Sequence, residues 1–131
     1  MKKKVLLIDD SAQILVTYRE ALEDINLQVD TAQTREEVLK KIQKTRYDLV
    51  LVDLEMPNEW DDKTVATGLN LISELKKLHA DWTIAVLSSY SDRAFIAEAY
   101  RLGVNDYIKK GKLSLIDFQQ KIRDLLDLNT L

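Results

Sequence analysis

Four places along the 131-residue chain set chemically capable side chains at the end of an apolar run. Val5-Leu6-Leu7-Ile8 is followed by Asp9 and Asp10, and the run 47–52 by Asp53. The run 83–87 is followed by Ser88 and Ser89, and Tyr107-Ile108 by Lys109 and Lys110. Carboxylates gathered at one place repel and raise each other's pKa. A divalent cation removes that conflict. Hard oxygen ligands suit Mg2+, which keeps several waters and takes one or two protein carboxylates together with phosphate oxygens. A lysine ammonium supplies a point charge for a phosphate oxygen. A carboxylate held beside a metal and a lysine can attack a phosphoryl group and form an aspartyl phosphate. Phosphoryl transfer is mostly positioning and charge neutralisation, so a small set of groups suffices.

Those groups meet only if the intervening elements bring them to one edge. Ile14, Leu15, Tyr18, Leu22 and Ile25 recur at helical spacing and predict a helix over 11–25. Residues 27–32 read as a weak strand anchored on Val29. Thr34-Arg35-Glu36-Glu37 is a capping box, in which hydroxyl and carboxylate satisfy each other's backbone donors; its helix carries Val38, Leu39 and Ile42. A loop over 55–67 holds the only proline, Pro57. Helices are predicted over 68–78, over 92–102 with Gly103 as its left-handed cap, and from Ser114 onward. Strands that are apolar without interruption are buried on both faces, as in parallel sheets. Five strands alternating with five helices predict an α/β, flavodoxin-like doubly wound (βα)5 sandwich. Its parallel five-stranded sheet is expected in the order 2-1-3-4-5. Ligands in such sheets bind beyond the carboxyl ends of the central strands, where Asp9, Asp10 and Asp53 fall.

Composition narrows the classes. Lys plus Arg number 19 and Asp plus Glu 22, a formal net charge of −3, which opposes a dedicated nucleic-acid binder. The absence of cysteine removes disulfides, thiolate zinc sites and thiol catalysis. The length fits one domain over 1–131. The apolar run after the N-terminal lysines is too short for a signal peptide, and nothing approaches a membrane span. A cytoplasmic location is expected. The lone His79 reads as a surface residue near a helix end.

The segments Val5 to Asp10, Asp53-Leu54-Glu55-Met56-Pro57, Leu87-Ser88-Ser89 and Asp106-Tyr107-Ile108-Lys109-Lys110 together resemble the response-regulator receiver domain of two-component signalling, chemotaxis receivers included. The resemblance spans nearly the whole chain. It implies that Asp53 is the phosphoacceptor and that Asp10 and Asp9 bind Mg2+ with the backbone carbonyl of Glu55. It further implies Ser88 as the switch hydroxyl, Tyr107 as the switch aromatic and Lys110, three positions on, as the phosphate-contacting lysine. Ser89, Tyr90, Glu55 and Trp60 are candidate modulators. The implied partners are a sensor histidine kinase or histidine phosphotransfer protein and a downstream protein. Contact is expected through the face of helix 4, strand 5 and helix 5, which could also pair two copies of the chain.

The sequence departs from the family mildly at Ser89, where a small residue is usual, and more strongly in two further places. Gly111 stands where a proline is usual, so it must shape that turn through its own backbone freedom. Gly68 follows Pro57 only after a stretch, 58–67, that reads as an insertion carrying Trp60 among acidic residues. Rival readings are a receiver acting through phosphorylation-independent contacts, an aspartyl-nucleophile phosphohydrolase and a flavin carrier. The hydrolase usually pairs two aspartates two positions apart, and Glu55 breaks that pattern. The acidic segment after the first strand opposes a flavin phosphate.

Overall fold

The computed structural model describes residues 2–54, 66–89 and 92–128. Strands β1 (Lys4–Ile8), β2 (Gln28–Ala32), β3 (Leu49–Val52), β4 (Ile84–Ser88) and β5 (Asp106–Lys109) alternate with helices α1 (Ala12–Glu23), α2 (Arg35–Lys44), α3 (Ala66–Leu78), α4 (Arg93–Arg101) and α5 (Leu115–Leu125). The strands form one parallel sheet in the order β2-β1-β3-β4-β5, as expected. β1 pairs on both sides, with Ile8 opposite Ala32 on one and Val52 on the other.

Both faces of the sheet are covered. Leu6 and Ile8 of β1, with Val50, Val52, Ile84 and Val86, pack against Val38 and Ile42 of α2 and Ile72 and Leu75 of α3. Val5, Leu7, Leu49, Leu51 and Ala85 point the other way, onto Leu15 and Leu22 of α1 and Phe118 and Ile122 of α5. The strand period of two divides each apolar run between the layers, which is why the runs are unbroken in sequence. At roughly 25 cal/mol per Å2 of apolar area, burying each of the Val, Leu, Ile and Phe side chains among these contributes about 1.5–3 kcal/mol.

Side-chain caps set the helix starts. Ser11, Thr34, Asp92 and Ser114 each accept a backbone N–H of the following turn. One cap differs from expectation. Thr34 Oγ1 accepts from Glu37 N at 3.2 Å, but Glu37 Oε1 accepts from Gln33 N at 3.1 Å and so reaches one residue further back. α4 is C-capped by Leu102, and Gly103 follows at φ +105.

Gly68 is required by a close approach. A Cβ there would sit 2.4 Å from Leu54 Cα and 2.6 Å from Asp53 O, both backbone atoms. Gly68 N–H also donates to Leu54 O at 3.1 Å. α3 thereby packs its first turn directly on the end of β3.

His79 is not a bare surface residue. Its ring stacks on the buried Trp82 at 3.9 Å, and Tyr47 meets the same indole edge-on. Among the described residues no helix is long and apolar enough to cross a membrane.

Candidate functional site

The carboxyl end of the sheet gathers the acids. Asp9 N–H donates to Ala32 O at 3.2 Å and Asp53 N–H to Ile8 O at 3.0 Å. Both aspartates thus extend the strand ladders by one residue and are fixed by a neighbouring strand. They are buried, Asp9 at 2% exposure and Asp53 at 6%, and Asp10 is half-buried beside them. One carboxylate oxygen from each of Asp9, Asp10 and Asp53 can be chosen so that all lie within 4.8 Å of one another.

Lys110 enters from the far end of the chain. Its Nζ donates to Asp9 Oδ2 at 2.6 Å and lies 3.5 Å from Asp53 Oδ2. Burial works to lower the lysine pKa, but the Asp53 charge and the hydrogen bond to Asp9 outweigh it, so the pKa stands above the ordinary lysine value. Lys109, one position earlier, enters no ion pair among the described residues. Asp9 Oδ1 accepts from Ser11 N–H at 3.0 Å, so both oxygens of this buried carboxylate are engaged.

Three carboxylates against one ammonium leave a local formal charge of −2 (1 − 3), which a divalent cation would neutralise. The donors are hard oxygens at the spacing one Mg2+ with its waters can bridge, so Asp9, Asp10 and Asp53 fit that ion.

Ser88 ends β4 and is fully buried, and its carbonyl accepts Lys110 N–H at 2.9 Å. This bond ties the turn carrying Lys110 to the strand carrying Ser88. The next residue, Gly111, has φ +75, the left-handed region that glycine enters without strain, and no cis peptide bond occurs among the described residues. Tyr107 pairs with Val86 across the sheet and is 9% exposed, packed in the layer that includes Ala99 of α4. Ser89 is exposed. Glu55, Trp60 and Tyr90 lie outside the described residues, as does 58–65 of the proposed insertion.

One residue at this edge escaped the sequence reading. Gln33 follows β2, and its Nε2 donates to Asp10 O at 3.2 Å. The rule that located the acids, side chains just past the carboxyl ends of strands, points to it equally once β2 is included.

Comparison with known proteins agrees with this geometry. Residues 5–123 match the model of the response regulator receiver domain family. The chain is 27% identical over 111 residues to the chemotaxis protein CheY of Thermotoga maritima, covering 84% of this chain and 87% of CheY. It is 30% identical over 107 residues to the transcriptional regulatory protein ResD of Bacillus subtilis, covering 82% of this chain and 41% of ResD. The matched region is therefore less than half of the longer regulator. A CheY-like receiver domain protein from Methanospirillum hungatei JF-1 superposes with a TM-score of 0.84 at 26% identity, over 98% of this chain and 96% of that one. Acids at the ends of β1 and β3, a lysine just past β5 and a match over residues 5–123 lead to one conclusion: the chain belongs to the response regulator receiver domain family.

Proposed function

We propose that Asp53 is the phosphoacceptor of this receiver, and that phosphorylation there alters the α4–β5–α5 face for partner binding. The observation that carries the reading is the placement of Lys110 Nζ between Asp9 and Asp53 at the mouth of the sheet. Asp9, Asp10 and Asp53, with the carbonyl of Glu55, are the groups that would hold Mg2+. When bound, Mg2+ neutralises charge on the phosphoryl oxygens.

This chain's own residues account for the rest. Asp53 Oδ forms a P–O bond as the P–N bond of a donor phosphohistidine breaks, and the donor imidazole keeps the bonding pair. Lys110 exchanges part of its carboxylate contact for a phosphoryl oxygen. Ser88 turns its hydroxyl toward the new group, and Tyr107 repacks against α4. The phosphoryl group acts by preferring one of two pre-existing arrangements; moving their ratio from 1:99 to 99:1 takes about 5.5 kcal/mol of such preference.

The natural donor on this reading is a sensor histidine kinase or histidine phosphotransfer protein in the cytoplasm. The receiver catalyses its own phosphorylation and dephosphorylation, and its output is a downstream protein or a second copy docked on the α4–β5–α5 face. The test is incubation with acetyl phosphate with and without Mg2+, read by intact mass. Magnesium-dependent gain of one phosphoryl group, absent in Asp53→Asn, is the expected result. A folded wild-type chain that gains none overturns the reading.

A further inference from the structure

We infer that Gln33 is a positioning residue that holds the loop bearing Asp10 in its metal-binding geometry; this rests on the magnesium site proposed above. The peptide unit joining Asp10 to Ser11 is clamped at both ends. Its carbonyl accepts from Gln33 Nε2 at 3.2 Å, and its N–H donates to Asp9 Oδ1 at 3.0 Å. Rotation of that plane would break both bonds together. The plane sets the ψ of Asp10 and the φ of Ser11, so the clamp fixes the backbone on the C-terminal side of the α-carbon that carries the Asp10 carboxylate.

Gln33 is itself held. Its backbone N–H donates to Glu37 Oε1 at 3.1 Å, while Glu37 N–H donates to Thr34 Oγ1 at 3.2 Å. Register adds a second constraint, because Ile8 pairs with Ala32 and Asp9 N–H reaches Ala32 O. Gln33 therefore runs beside the Asp9–Asp10 segment, which it reaches across 23 positions of sequence. The displaced reach of Glu37, to Gln33 instead of Thr34, is what ties the start of α2 to the acidic loop. Only the amide nitrogen of Gln33 can donate to a carbonyl, so an isosteric side chain lacking that donor keeps the shape and loses the clamp.

The test is Mg2+ titration of the full chain without any phosphodonor, followed by backbone amide and carbonyl chemical shifts, in wild type and Gln33→Met. The Mg2+ Kd is expected to rise about tenfold in the variant, the lower end for groups that orient metal ligands. The Asp10 carbonyl 13C resonance is expected to move upfield with loss of its hydrogen bond, while resonances of the β4–β5 half stay in place. A Kd within twofold of wild type in Gln33→Met overturns the proposal, as does an unmoved Asp10 carbonyl. If that variant loses the native spectrum, the same carbonyl read in Glu37→Met, which has no oxygen acceptor for Gln33 N–H, decides. This substitution removes the tether on Gln33 N–H, and a carbonyl shift and Kd identical to wild type overturn the proposal. A wild-type chain that binds no Mg2+ overturns the magnesium reading and this proposal together, whereas wild-type binding with Gln33→Met unchanged removes only the role of Gln33.

Discussion

Lys110 Nζ sits 2.6 Å from Asp9 Oδ2 and 3.5 Å from Asp53 Oδ2, so the lysine makes its short bond to the acid after β1 and a longer ion pair with the acid after β3. It lies 101 positions from Asp9 in sequence and is the cation that makes two buried carboxylates tolerable side by side.

Removing that charge while keeping the stem exposes the conflict. Lys110→Met in EDTA is expected to unfold in urea with about 3 kcal/mol less stability, the low end for breaking a buried pair. Mg2+ at a hundred times its Kd should return about 2.7 kcal/mol by binding the native state alone. A loss under about 1 kcal/mol would show that the pair contributes little to folding.

The same lysine predicts an alkaline limit. Its folded pKa is raised, so its stabilising contribution is complete below the unfolded lysine value and is lost as pH climbs through the raised folded value. Tyr47 acts in the same sense: burial, then its 2.6 Å hydrogen bond to Asp30, holds the phenol protonated above its ordinary range. Stability should therefore fall above about pH 10. The fall should be shallower in Lys110→Met and in Tyr47→Phe, as measured by urea midpoints across the alkaline range.

Gly68→Ala should be costly in spite of helix propensity. The new methyl group meets the backbone of Asp53 and Leu54, which cannot yield as a flexible side chain would. A loss of about 3 kcal/mol is expected from overpacking, with a displaced Asp53 amide resonance. A gain in stability would contradict the close approach.

Gly111→Ala should be milder. Nothing lies within 4 Å of a Cβ built there, so only the positive φ opposes it. The expected loss is about 1–2 kcal/mol. Because Lys110 N–H is bonded to Ser88 O next door, a weaker Mg2+ response should accompany the loss if the turn shifts.

Much of the site was legible because it obeys a local rule. The apolar runs end where the chemical residues begin, and that boundary is written in consecutive positions such as Ile8-Asp9 and Val52-Asp53. The choice of Lys110 over Lys109 came from the family resemblance, in which the lysine follows the aromatic residue by three positions; Lys110 is also the one that pairs with Asp9 and Asp53. The capping box at Thr34 was legible as a helix start, but its carboxylate partner was off by one residue. Several backbone donors near a helix start compete for one flexible glutamate, and sequence spacing does not rank them.

The sequence by itself determined the elements, their alternation and the residues that terminate each strand, because periodicity and caps depend on near neighbours. Tertiary structure alone decided that Lys110 bonds Asp9 before Asp53, that Gln33 clamps the Asp10 carbonyl, that α3 packs on Leu54 through Gly68 and that His79 stacks on Trp82. Each of those contacts depends on how strands and helices stack. Differences of about an ångström in that stacking choose between partners that spacing along the chain leaves equivalent.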